Sequence, residues 1–113
     1  MSALEDLFPV PTDGDRDARR TDLLRRARLV QAHGWDDYLY TWSTGEVLAV
    51  ALLLDDYQVL SEFGETRDGV LSRWAYDLYG GHEARADTAS GFPATTAWFA
   101  ATATQLTTTH GDQ

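Results

Sequence analysis

Eight consecutive apolar residues, Val47 to Leu54 (VLAVALLL), lie between Ser43-Thr44-Gly45-Glu46 and Asp55-Asp56. Such a run has no polar face at either helical or strand periodicity, so whatever it forms must be covered on every side. It is far short of the ~18–20 residues that span a bilayer. Ser43 and Glu46 have the spacing of a capping box, a hydroxyl and a carboxylate each able to hold an orphan backbone N–H at a helix start. The alanine and leucine content favours helix. The competing arrangement is a β-hairpin with strands 38–42 and 47–54 around the STGE turn. The expected fold class is therefore all-α, a compact bundle of four to five short helices around a buried central helix. The alternative is α+β with a hairpin at 38–54.

The flanking segments fit that plan. Residues 1–15 read as an irregular lead in which Leu4, Leu7 and Phe8 can dock on the body, while Pro9, Pro11 and Gly14 oppose regular structure through 9–14. A first helix is predicted from Asp17 to His33. It is capped by Asp13, Asp15 or Asp17, stopped by Gly34, and striped by Leu23, Leu24, Ala27 and Val30. A short helix capped at Asp55-Asp56 carries Val59, Leu60 and Phe63 to Gly64. Thr66 caps another across Arg67–Tyr79, with Val70, Leu71, Trp74, Ala75 and Leu78 on one stripe. Residues 80–92 are expected to be a polar loop able to serve as a contact surface. Pro93 is placed to open a last helix with Ala97, Trp98, Ala101 and Leu106, and residues 107–113 are expected to fray. The whole reads as one domain over 16–106.

Charge is distributed unevenly. The net charge is −9, yet residues 16–28 hold six of the nine arginines against two acids. There is no lysine and no cysteine. A Walker phosphate loop, disulfides and thiol chemistry are therefore outside its repertoire. Clustered arginine on a helix is the electrostatic footprint of phosphate binding, with Arg19, Arg25, Arg26 and Arg28 as the candidate contacts. Helical projection places Arg16 and Arg20 near the apolar stripe and scatters the others around the axis. Packing of this helix against an acidic body, its own or a twin's, is thus favoured over nucleic acid, and an acidic chain repels DNA.

His33 with Asp36 and Asp37, or His82 with Glu83 and Asp77, are conceivable metal ligands, but no recognised ligand spacing joins them. His110 lies in the tail. Ser43 and Thr44 precede a glycine without a nucleophile elbow, and the adjacent pairs Asp36-Asp37 and Asp55-Asp56 point apart on any regular element. No catalytic centre, metal or cofactor is expected. Trp35, Tyr38, Tyr40 and Trp42 crowd one eight-residue stretch, and Tyr76 and Tyr79 lie off the stripe of their helix. These six are the candidate protein-interface residues, since Tyr and Trp supply contact area at low entropic cost. The expected function is a non-catalytic acidic protein-binding module. A stoichiometric inhibitor, an immunity or antitoxin-like protein, or an accessory protein of a phage or mobile element would act in this way on a more basic partner. The alternatives are a nucleic-acid-binding regulator using helix 16–28 and a small metal-dependent hydrolase. A homo-oligomer through the basic helix and acidic body is also conceivable, and no membrane partner is expected. The N-terminal MSALEDLFPVP carries acids where a secretory signal needs basic residues, so a cytoplasmic location is expected.

Overall fold

The computed structural model describes residues 10–111, with side chains described through Thr107. The expected docking of Leu4, Leu7 and Phe8, and the side chain of His110, lie outside this range. Six helices, and no strand, are present among the described residues: α1 Asp13–His33, α2 Thr44–Leu53, α3 Tyr57–Glu62, α4 Arg67–Tyr79, α5 Gly81–Ala89 and α6 Pro93–Gly111. The all-α class is observed. The hairpin alternative is not, because residues 38–42 close backbone turns onto Trp35 and Tyr38 and do not pair with 47–54.

Helix α2 is the hub, in contact with α1, α3, α4 and α6. Every residue from Val47 to Leu53 is buried, and Val47 to Ala51 are fully so. Removing such a helix from water is tolerable only if its backbone ends are satisfied as well. At the start, the Ser43 hydroxyl accepts from Glu46 N–H at 3.2 Å, and the Glu46 carboxylate accepts from Ser43 N–H at 3.0 Å. At the end, the N–H groups of Leu54, Asp55 and Asp56 donate to the carbonyls of Val50, Leu52 and Ala51. Asp55 turns the chain with φ of 54°, a left-handed conformation that aspartate tolerates better than most residues.

Asp56 then does two things. One carboxylate oxygen caps α3 through Val59 N–H at 3.2 Å, and the other accepts from the Trp35 indole N–H at 2.9 Å. The aromatic segment 35–42 is thereby pinned beside the α2–α3 corner. The two capping predictions made for α3 and α4 hold, with Asp56 and Thr66 in place.

Three segments differ from the sequence expectation. One of them is the tail, where α6 continues to Gly111 instead of fraying from Thr107 because no Pro or Gly interrupts it sooner. Helix α1 begins at Asp13, four residues before the predicted start, because Thr12 and Asp15 form a reciprocal capping box that Gly14 does not prevent. The predicted loop 80–92 contains helix α5, which raises the helix number to six. Gly80 ends α4 with φ of 83° and sits against Pro11, where a Cβ would approach the Pro11 ring to 3.3 Å. The Gly-Gly pair is thus a sharp corner between two helices. After it, His82-Glu83-Ala84-Arg85-Ala86 has good helix formers.

Asp87 projects from α5 to the start of α6 and acts as its cap. It accepts from Ala94 N–H at 2.7 Å, Thr95 N–H at 3.0 Å and the Thr95 hydroxyl at 2.6 Å. Phe92 is held between them at φ of 65°, its N–H on the Asp87 carbonyl and its ring buried. A left-handed phenylalanine costs about 1–2 kcal/mol, and burial of the ring offsets it. Trp74 and Trp98 stack where α4 and α6 meet, and Phe99 packs edge-on against both.

Burial pushes the Asp87 carboxyl up, but the hydrogen bonds from Thr95 and Ala94 outweigh it and hold the group below the usual Asp value. A carboxylate depressed in the folded state contributes stability above its unfolded pKa of ~3.9, and that contribution is lost as pH falls through the lower folded value. Asp87→Asn is expected to lower unfolding free energy by about 2 kcal/mol at pH 7. In urea titrations between pH 7 and 2, the variant should also show a shallower loss of stability below pH 4 than the parent. Equal stability of the two proteins at pH 7 would remove Asp87 as the α6 cap.

Candidate functional site

The arginines of α1 are the natural starting point, since they were the candidate charged contacts. Four of them lie over aromatic rings: Arg16 over Tyr79 at 5.0 Å, Arg19 over Trp74 at 5.6 Å, Arg20 over Trp98 at 5.1 Å and Arg26 over Trp42 at 4.9 Å. Their donors are used as well. Arg16 donates to the Leu78 carbonyl at 2.8 Å, closing the C-terminal turn of α4. The Arg20 Nε donates to the Thr102 hydroxyl at 2.9 Å on α6. Arg26 bonds Asp22 at 2.7 Å and reaches the capping residue Glu46 at 2.9 Å. Guanidinium groups suit this work because the planar cation stacks while its edge donates.

The basic helix therefore packs on its own domain, and its main counterparts are aromatic faces as well as acids. Arg25 stands more exposed and shares Asp22 with Arg26. Arg28 points outward from α1. Burial pushes the Asp22 carboxyl up, yet hydrogen bonds from Arg26 and Arg25 bring it below the usual range. The four candidates Arg19, Arg25, Arg26 and Arg28 do not form one free basic face.

The six candidate aromatics separate into two groups. Trp35, Tyr38, Trp42 and Tyr79 are half-buried against the core. Tyr38 and Trp42 stack at 4.5 Å, and Arg26 also lies over the Trp42 ring, at 4.9 Å. Burial raises the Tyr79 hydroxyl, against the opposing pull of Arg16. Tyr40 and Tyr76 are exposed, Tyr40 at 85%. Tyr76 lies in the last turn of α4, beside Gly81. Tyr57, which the sequence reading did not single out, is 51% exposed. Its place at the first position after the Asp56 cap was the available signal.

Tyr40 is the most exposed aromatic among the described residues. Its ring stacks on Phe63 at 6.4 Å, joining turn 35–42 to the end of α3. Asp36 and Asp37 are exposed in the same turn, and Trp35 is tied to Asp56. Among the described residues, neither Asp36 nor Asp37 is in an ion pair. An exposed aromatic ring three and four residues beyond two exposed carboxylates can stack on a guanidinium or cover an alkyl-ammonium stem.

A second surface is a groove. Leu52, Leu53, Tyr57, Phe99 and Ala103 line an open groove of about 330 Å³ between α2, α3 and α6, with Asp55 and Arg67 also on its wall. The third surface lies along α5, where Tyr79, His82, Glu83 and Ser90 surround the Asp87 cap. His82 and Glu83 are exposed there. Among the described residues, no group of three or more His, Asp or Glu side chains converges to hold a metal ion, so neither His33 with Asp36 and Asp37 nor His82 with Glu83 and Asp77 is brought together as a ligand set. No described helix is long and apolar enough to cross a membrane. No family model, curated protein sequence or solved structure matches this chain.

The internal use of arginine has a measurable consequence. Arg26→Ala is expected to lower stability by about 1–2 kcal/mol, because it removes a stacked cation and frees Glu46 and Asp22. Arg25→Ala should change it by less than about 0.5 kcal/mol, as expected for an exposed pair. Denaturant midpoints of the two variants that coincide would contradict the distinction.

Proposed function

We propose that this chain is a non-catalytic binding module that engages a more basic protein through the Tyr40 face, in the manner of a stoichiometric inhibitor or immunity protein. One observation carries the reading: Arg16, Arg20 and Arg26 are folded against the chain's own rings, while Tyr40, Asp36 and Asp37 stand exposed in one turn. Of the nine arginines, Arg16, Arg20 and Arg26 are mostly buried, with side chains 15–23% exposed. The acids outnumber them two to one, 18 to 9, and Asp36, Asp37, Asp55, Asp77 and Glu83 all face solvent. Among the described residues ten acids and six arginines are exposed, so a partner meets a surface on which acids predominate.

Such a surface raises the rate of encounter with a basic protein and orients it, while an aromatic anchor supplies affinity at the contact. The nucleic-acid reading loses support from the same observation. A phosphate contact through Arg26 would have to give up its bonds to Asp22 and Glu46 and its stack on Trp42.

Isolation of the tagged chain from its native host tests this reading. The expected result is a companion protein of basic isoelectric point in stoichiometric amount, with an association rate that falls as salt rises. Tyr40→Ala, and Asp36→Lys with Asp37→Lys, should weaken the complex by about tenfold or more, whereas Tyr76→Ala should leave it intact. A chain that elutes without a companion, or a complex indifferent to Tyr40, would refute the assignment.

A further inference from the structure

Tyr40, Tyr57 and Tyr76 are all exposed, and each has a carboxylate close to it in sequence. Their cationic surroundings differ. Tyr57 shares a groove wall with Arg67. The Tyr76 ring and the Arg85 guanidinium both approach Gly81, 4.0 and 3.8 Å from the place a Cβ would take there. Tyr40 stands in a stretch, residues 29–66, that holds seven acids and no arginine. A cation arriving at Tyr57 or Tyr76 is opposed by an arginine of this chain, and at Tyr40 its own stretch offers only attraction.

The turn that carries Tyr40 is coiled much like a helix. Leu39 N–H donates to the Trp35 carbonyl and Trp42 N–H to the Tyr38 carbonyl, each at 3.1 Å and each four residues back. In such a coil a residue shares its side with those three and four positions earlier. For Tyr40 these are Asp37 and Asp36, both exposed. The Thr41 hydroxyl donates to the Asp37 carbonyl at 2.8 Å, and the Trp35–Asp56 bond anchors the start of the turn. One face of the Tyr40 ring is turned to Phe63, and with 85% of the residue exposed the other is open to a partner.

The chain uses this combination once within its own fold. Arg26 lies over Trp42 at 4.9 Å while its donors meet Asp22 at 2.7 Å and Glu46 at 2.9 Å. One ring and two carboxylates hold one guanidinium. Tyr40 with Asp36 and Asp37 supplies the same ring and pair of carboxylates on the outside. We propose that the Tyr40 face takes an arginine side chain of the basic partner, its plane on the open face of Tyr40 and its N–H edge on Asp36 and Asp37. The assignment rests on the Tyr40 reading above and narrows it from a basic protein to a guanidinium. Lysine fits the face less well. Its ammonium is compact and strongly hydrated and meets a carboxylate as a point charge, whereas a guanidinium stacks and donates at once.

Titration of the full chain with tetra-arginine amide and with tetra-lysine amide, followed by NMR at one salt concentration, tests it. The two peptides carry equal charge, so long-range attraction cancels in the ratio of their dissociation constants. The ratio should favour tetra-arginine by about two- to fivefold, the range of an exposed cation–ring contact. The largest shifts are expected at Tyr40, Asp36 and Asp37. Tyr40→Leu keeps an apolar side chain without the ring and should bring the ratio to about one, while Tyr76→Leu should leave it unchanged. An unchanged circular dichroism spectrum confirms that the variants fold; should Tyr40→Leu not fold, the residue-by-residue shifts of the parent decide. Equal affinity for the two peptides overturns the assignment, as does a preference that survives Tyr40→Leu, or shifts centred on Tyr57 or Tyr76. Equal affinity leaves the basic-partner reading standing, since isolation of the companion protein judges that separately.

Discussion

A helix buried on all sides imposes conditions on everything around it. Seven successive side chains of α2, Val47 to Leu53, are removed from water, so four other helices must supply covering surface. Its backbone ends must also be closed. The Ser43–Glu46 box does this at one end, and the N–H groups of residues 54–56 do it at the other. Each closure then serves a second purpose. Glu46 receives Arg26 from α1, and Asp56 receives Trp35 and caps α3. The groups that seal the central helix are the same ones that place its neighbours.

In a chain of 113 residues the core is small, and amphipathic side chains have to extend it. Arginine meets that need here. Arg16, Arg19, Arg20 and Arg26 lay guanidinium planes over Tyr79, Trp74, Trp98 and Trp42, and three of them satisfy hydrogen-bond acceptors at the same time. Each stack is worth about 0.5–2 kcal/mol depending on desolvation. The electrostatic outcome matters as much as the stability. Three of the nine cations, Arg16, Arg20 and Arg26, are drawn inward, and among the described residues exposed acids outnumber exposed arginines ten to six.

The parts legible in the sequence are those fixed by local chemistry. Ser43 with Glu46, Asp56, Thr66 and Pro93 mark helix starts because each acts on backbone within one turn of itself. The buried run was legible because no polar residue interrupts it. The parts that were not legible depend on distant partners. Asp87 caps a helix seven residues away, across a corner the intervening sequence does not announce. Helix α5 was hidden by its own polarity, since Gly80-Gly81 and Ser90-Gly91 read as loop and only Ala84 and Asp87 turn inward. Of the candidate site, the acidic surface was legible from charge alone. The division of the aromatics into stacked Trp42 and projecting Tyr40 was not, because it depends on which face of a turn meets Arg26 and Phe63.

The claim on which the rest stands is that α2 is the last element to open. Native-state amide hydrogen exchange measures this residue by residue. The amides of Val50 to Leu53 should exchange only through global unfolding, with a free energy equal to that from denaturant titration. Those of α5 and the ends of α1 should open at lower cost. If the α2 amides exchange at a lower free energy than those of α1, the central helix is not what the other five are built upon.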